Sequence, residues 1–103
     1  MTRGEVYRIR LPATGGREQR RPRYAVIVHA DQLLGLSRVI VAPTSRSAAA
    51  ATFRPQIELA GENTRVLVEQ LRAVDIERLD SLAGRLTAPE QRAVDEALAL
   101  VLV

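Results

Sequence analysis

Between Gly15 and Val28 the chain reads GGREQRRPRYAVIV, with four arginines, two glycines, a proline and one carboxylate directly ahead of an apolar run. A turn that only joins two strands needs no such charge. Arginine presents a planar fork of donors that fits phosphate oxygens and stacks on flat aromatic groups. Glu18, in the midst of these cations, is a group that can accept a proton. All fifteen basic residues of the chain are arginine, and none is lysine. Their distribution is uneven: residues 1–54 carry a formal charge of +7 and residues 55–103 a charge of −4. A basic half of this kind points to a polyanion or an acidic peptide as partner.

Composition removes several chemistries. The chain has no cysteine, which excludes disulfides, thiolate catalysis and cysteine-based zinc sites. The only histidine is His29, and no local cluster of carboxylates and histidines has the spacing of metal ligands. No apolar run is long enough to span a membrane, and the opening MTRGEVY lacks an apolar targeting segment, so the expected location is cytoplasmic. At 103 residues the expectation is one domain over residues 1–103 that buries about two-thirds of its unfolded surface. With aromatic residues at 3%, its core must be aliphatic.

The elements that would carry the arginine-rich stretch are mostly strands. Residues 4–11 alternate, with Tyr7, Ile9 and Leu11 facing inward and Arg8 and Arg10 outward. Pro12 to Pro22 is an exposed loop, and Tyr24 to His29 is apolar enough for a central strand. ADQLLGLS reads as a connection with a helical turn capped by Asp31. Arg38 to Pro43 is a third strand stopped by its proline, and Arg46 to Thr52 a mobile connection. Phe53 to Leu59 and Thr64 to Gln70 form a hairpin through the four residues Ala60 to Asn63. Arg72 to Val74 extends the sheet, Asp75 to Leu79 is one helical turn, and Ser81 to Leu86 is a last strand bent at Gly84. Thr87 and Glu90 then make a capping box, and Val94, Ala97, Leu98, Val101 and Leu102 recur at helical spacing. Short strands closed by one helix give a mainly β fold, a small, strongly bent sheet or half-open barrel.

Taken in order, Arg3-Gly4-Glu5-Val6-Tyr7, Gly16-Arg17-Glu18-Gln19 with Arg23, Val41-Ala42-Pro43-Thr44-Ser45, Val66 to Asp75 and Val94 to Leu98 resemble the MazF/PemK-like toxins of bacterial toxin–antitoxin systems. The resemblance covers nearly the whole chain. It implies an SH3-like β-barrel with a C-terminal helix, a homodimer, and a metal-independent endoribonuclease that cuts single-stranded RNA through the 2′-hydroxyl. It also implies a cognate MazE-like antitoxin and no cofactor. Carried over by position, the catalytic pair is Arg23 and Thr44, with Glu18 and Gln19 beside them. Arg17, Arg20, Arg21, Tyr24, Ser45 and Arg46 join Gln19 as RNA-binding residues. Tyr24 departs from a usual proline, Arg17 from a small residue, and Arg20-Arg21-Pro22 from a glycine-containing stretch; His29-Ala30 replaces a frequent Gln-Asn pair.

Cleavage of RNA needs a group to take the 2′-hydroxyl proton, one to protonate the leaving 5′-oxygen, and positive charge at phosphorus. One histidine cannot supply the two-histidine solution, so arginine remains. Its high pKa suits Arg23 to electrostatic stabilisation and proton donation rather than proton acceptance. Glu18 is then the better base, or else a carboxylate that positions arginines, and Thr44 supplies a hydroxyl to a phosphate oxygen. Two other functions stay open at this level: a toxin of the same fold that binds DNA gyrase, and a non-catalytic RNA-binding module. The first depends on a tryptophan-containing tail, which this chain, lacking Trp, does not have.

Overall fold

A computed structural model of the protein describes residues 2–10, 23–29 and 37–102. The backbone forms strands β1 (Glu5–Ile9), β2 (Arg23–Ile27), β3 (Arg38–Ser45), β4 (Gln56–Leu59), β5 (Glu62–Val66), β6 (Arg72–Asp75) and β7 (Leu79–Arg85), followed by helix α1 (Ala88–Leu102). Leu11 to Pro22, and the ADQLLG connection with Asp31, lie outside the described residues.

β2 sits in the middle of the fold because both of its faces are apolar. Val26 and Val28 join Val6, Ala42, Ile57, Val66 and Val94 in one core cluster, against which Leu98 of α1 packs. Ala25 and Ile27 point the other way, into a second cluster with Val39 and Val41 that Tyr7, Ile9, Val74, Ile76 and Leu79 cover. A strand buried on both sides needs a sheet that curls around it, and the pairing order β4-β5-β3-β2-β1-β7 does so, with β6 added on β3. Two register shifts between β1 and β7 bend the sheet further. The ends of the path come together at Gly84, where a Cβ would stand 3.4 Å from Leu59 Cδ1 of β4. The result is the expected small bent β-barrel, open on one side and closed by the C-terminal helix.

Pro43 does not stop β3. The strand runs two residues further, to Ser45. Along one edge it pairs first with β6, over Arg38 to Val41, and then with β5 at Thr44 and Ser45. Pro43 falls between these two ladders, where its carbonyl accepts from Leu67 N–H at 2.8 Å and its missing N–H falls at the break.

The hairpin turn is also tighter than four residues. Leu59 pairs directly with Glu62, leaving Ala60 and Gly61 as the loop, both with positive φ (54° and 80°), as the favoured type I′ turn requires. β4 starts at Gln56 rather than Phe53, since Pro55 precedes it and Arg54 is engaged elsewhere. β5 ends at Val66, and Val68–Gln70 forms a 3-10 turn instead of continuing the strand. β7 begins two residues earlier than its apolar pattern suggests. The connection read as mobile is anchored: Arg54 donates to Glu69 Oε2 at 2.7 and 3.0 Å and to the Ala49 carbonyl at 3.2 Å.

The capping box of α1 forms as expected. Thr87 N–H donates to Glu90 Oε1 at 2.9 Å, and Glu90 N–H to Thr87 Oγ1 at 3.3 Å. The second oxygen of Glu90 accepts from Glu58 N–H at 2.8 Å, which fastens the helix start to the edge strand β4. Val94 and Ala97 reach the core, while Leu102, expected on the buried face, is 65% exposed, as is Leu100 at 64%. His29 is buried, with Nδ1 accepting from Ile40 N–H at 3.4 Å.

Candidate RNA-binding cleft

The end of β3 and the start of β2 lie side by side, and the β4–β5 hairpin stands across from them because Ser45 pairs with Arg65. Between these elements is a cleft of about 580 Å³ lined by Arg23, Tyr24, Thr44, Ser45, Arg46, Ser47, Leu59, Ala60, Glu62 and Thr64. Five residues singled out in the sequence, Arg23, Tyr24, Thr44, Ser45 and Arg46, therefore share one wall although twenty residues separate the two groups. Arg17, Glu18, Gln19, Arg20 and Arg21 lie outside the described residues.

Each of the five is placed by strand backbone. Arg23 opens β2 with an exposed side chain. Tyr24, next to it, is half-buried and packs on the first core cluster. The Thr44 hydroxyl donates to the Tyr24 carbonyl at 3.2 Å, tying the two strands together at the cleft floor. Ser45 Oγ accepts from Ser47 N–H at 3.3 Å and steadies the turn beyond β3. Arg46 forms an ion pair with Glu62 across the cleft. Among the described residues no carboxylate pairs with Arg23. Among them, too, no three carboxylate or imidazole groups converge where a metal ion could be held.

The hairpin side of the cleft was not legible in the sequence. Glu62 and Thr64 read there as turn and strand residues, and nothing local marks them as cleft residues. Only the long-range pairing of β5 with β3 brings them opposite Arg46.

An exposed guanidinium, hydroxyls and an aromatic ring are the kinds of group that can contact a phosphate chain and its bases. Residues 2–102 match the family model of PemK-like, MazF-like toxins of type II toxin–antitoxin systems. The chain belongs to this family. It is 47% identical over 75 residues to Rv3098A, a toxin candidate of Mycobacterium tuberculosis, a stretch that spans 72% of this chain and 70% of that protein. It is 33% identical to Endoribonuclease MazF9 of the same organism, over 99% of this chain and 96% of the relative. Among solved structures, a mycobacterial endoribonuclease in complex with its cognate antitoxin superposes with a TM-score of 0.82 at 16% identity, covering 99% of this chain and 94% of the other. MazF from Deinococcus radiodurans gives 0.78 at 19% identity, covering 99% and 96%. These likenesses show that the curled half-barrel with its terminal helix is the fold of the MazF toxins. No helix among the described residues is long and apolar enough to cross a membrane.

Proposed function

We propose that the protein is a metal-independent endoribonuclease toxin that cuts single-stranded RNA in the cytoplasm at short sequences, and that a MazE-like antitoxin neutralises it. The observation that carries this reading is that Arg23 and Thr44 line one cleft, within a chain of the MazF-like family and 33% identical to a named endoribonuclease.

In the proposed reaction the 2′-oxygen attacks the adjacent phosphorus and the bond to the 5′-oxygen breaks, leaving a 2′,3′-cyclic phosphate and a 5′-hydroxyl. Negative charge gathers on the non-bridging oxygens as the 2′-oxygen adds. The Arg23 guanidinium meets that charge with a fork of donors and can pass a proton towards the leaving oxygen. Thr44 exchanges its 3.2 Å bond to the Tyr24 carbonyl for one to a phosphate oxygen. Glu18 takes the 2′-hydroxyl proton. Holding the 2′-oxygen in line with the scissile bond supplies much of the rate, an effect worth several kcal/mol. Tyr24 offers a stacking platform. Ser45 and Arg46 hold the backbone from the β3 side, and Arg17, Gln19, Arg20 and Arg21 are assigned to RNA binding with them. Leu82, Leu100 and Leu102, exposed on β7 and α1, would be covered in a homodimer.

The deciding experiment incubates purified protein with a long RNA in EDTA and maps the cut ends. Wild type is expected to leave 5′-hydroxyl ends at recurring short sequences. Arg23→Ala should abolish cleavage, and Thr44→Ala should slow it by about a hundredfold. Equal degradation by wild type and Arg23→Ala would mean that a contaminating nuclease does the cutting.

A further inference from the structure

The cleft contains one group that a phosphate chain would repel. Glu62 is the only carboxylate among the described lining residues, and it shares the cleft with two arginines and several hydroxyls. Its backbone is fixed: it closes the two-residue hairpin loop by pairing with Leu59. Arg46 holds the side chain through Oε2. Both partners of that ion pair are more than half exposed, at 56% and 58%, so the pair adds little to stability. Its effect is to orient a carboxylate. Each carboxylate oxygen has two acceptor positions, so Oε1 and the second lone pair of Oε2 can still accept.

An RNA in this cleft presents base edges as well as phosphates, and single-stranded RNA is read on exposed Watson–Crick edges. Guanine alone has two adjacent N–H donors there, N1–H and the N2 amino group. Adenine and cytosine place an acceptor nitrogen beside their amino group, and uracil flanks its N–H with two carbonyls, so each would set a lone pair against the carboxylate. Tyr24, lining the same cleft, offers a ring on which such a base can stack.

We propose that Glu62 is a specificity-determining residue that reads a guanine through N1–H and N2–H, and that Arg46 is its positioning residue. This rests on the reading of the cleft as an RNA site.

The test measures binding by fluorescence anisotropy, using single-stranded deoxythymidine oligonucleotides with one central guanine, inosine, adenine or cytosine. These lack the 2′-hydroxyl and cannot be cut by the proposed route. Wild type is expected to bind the guanine strand about tenfold more tightly than the adenine or cytosine strands, the scale of one bidentate base contact. Inosine, which keeps N1–H but lacks the N2 amino group, should fall between. Glu62→Gln should bring the four strands close to equal, and Arg46→Gln should shrink the guanine preference without inverting it. A preference unchanged in Glu62→Gln overturns the assignment. So does a uniform gain of affinity for every strand, which would make Glu62 only an electrostatic brake on Arg46. Arg23-dependent cleavage of long RNA found together with equal binding of the four strands removes the guanine reading and leaves the endoribonuclease standing. Absence of both cleavage and binding removes both.

Discussion

Outside the cleft, two carboxylates among the described residues, Glu5 and Glu69, are held below their ordinary pKa by their surroundings. Burial alone would raise the Glu5 carboxyl, but Thr2 N–H at 2.7 Å, the Tyr7 hydroxyl at 3.0 Å and Arg85 at 2.7 Å together hold it below its ordinary value of 4.5. Glu69 is held down chiefly by the Arg54 hydrogen bonds, against the opposing effect of burial. A carboxyl with a depressed folded pKa binds fewer protons in the native state than in the unfolded chain. Its contribution is therefore complete above about pH 4.5 and is lost as the pH falls through the folded value. Thermal melts at pH 7 and at pH 3 should show this. Glu5→Gln is expected to lower stability by about 2 kcal/mol at pH 7, the scale of hydrogen bonds to a charged group, and to bring the two melting temperatures closer together. A variant as pH-sensitive as wild type would show that Glu5 is not responsible. Tyr7, by the same contacts, moves the other way: burial and then its bond to Glu5 raise its hydroxyl above 10.0.

At the scale of elements, the β4–β5 hairpin holds the one non-glycine residue with positive φ among the described residues. Gly61 accepts its positive φ without cost, and a side chain there would meet open space. Ala60, at φ 54°, does not: a residue with a Cβ in the left-handed region costs about 1 kcal/mol or more. Asn tolerates that region and precedes Gly in the commonest turns of this type. Ala60→Asn is therefore expected to stabilise the protein by about 0.5 to 1 kcal/mol in urea unfolding with the m-value unchanged. A loss of stability would show that Ala60 contacts hold the loop better than its backbone preference suggests. Because Ala60 and Glu62 line the cleft, the same variant tests whether a stiffer hairpin sharpens base discrimination.

For the molecule as a whole, two features call for partners. One is the charge asymmetry, with the basic residues concentrated in the half that carries Arg23 and Arg46 and an acidic surplus in the other. The other is the exposure of three leucines, Leu82 on β7 and Leu100 and Leu102 on α1, at 51 to 65%. In the proposed homodimer these leucines pack against a second copy. Sedimentation of the wild type should then give a dimer, and Leu100→Glu with Leu102→Glu a monomer of unchanged β content. A dimer that survives both substitutions would place the interface elsewhere.

Local chemistry made much of this legible in the chain. The capping box at Thr87 and Glu90, the doubly apolar run of β2 and the alternation in β1 are read from neighbouring residues, because helix caps and strand faces depend on spacings of two to four positions. Arg23 and Thr44 stood out through the family resemblance and the chemistry that one histidine and no cysteine leave available. What tertiary structure alone decided is long-range. Pro43 could stay inside β3 because two different strands divide that edge between them. Glu62 became a cleft residue because β5 pairs with the end of β3. Both outcomes depend on which strand lies beside which, and that is set by burying both faces of β2 within a curled sheet, not by any stretch of residues taken alone.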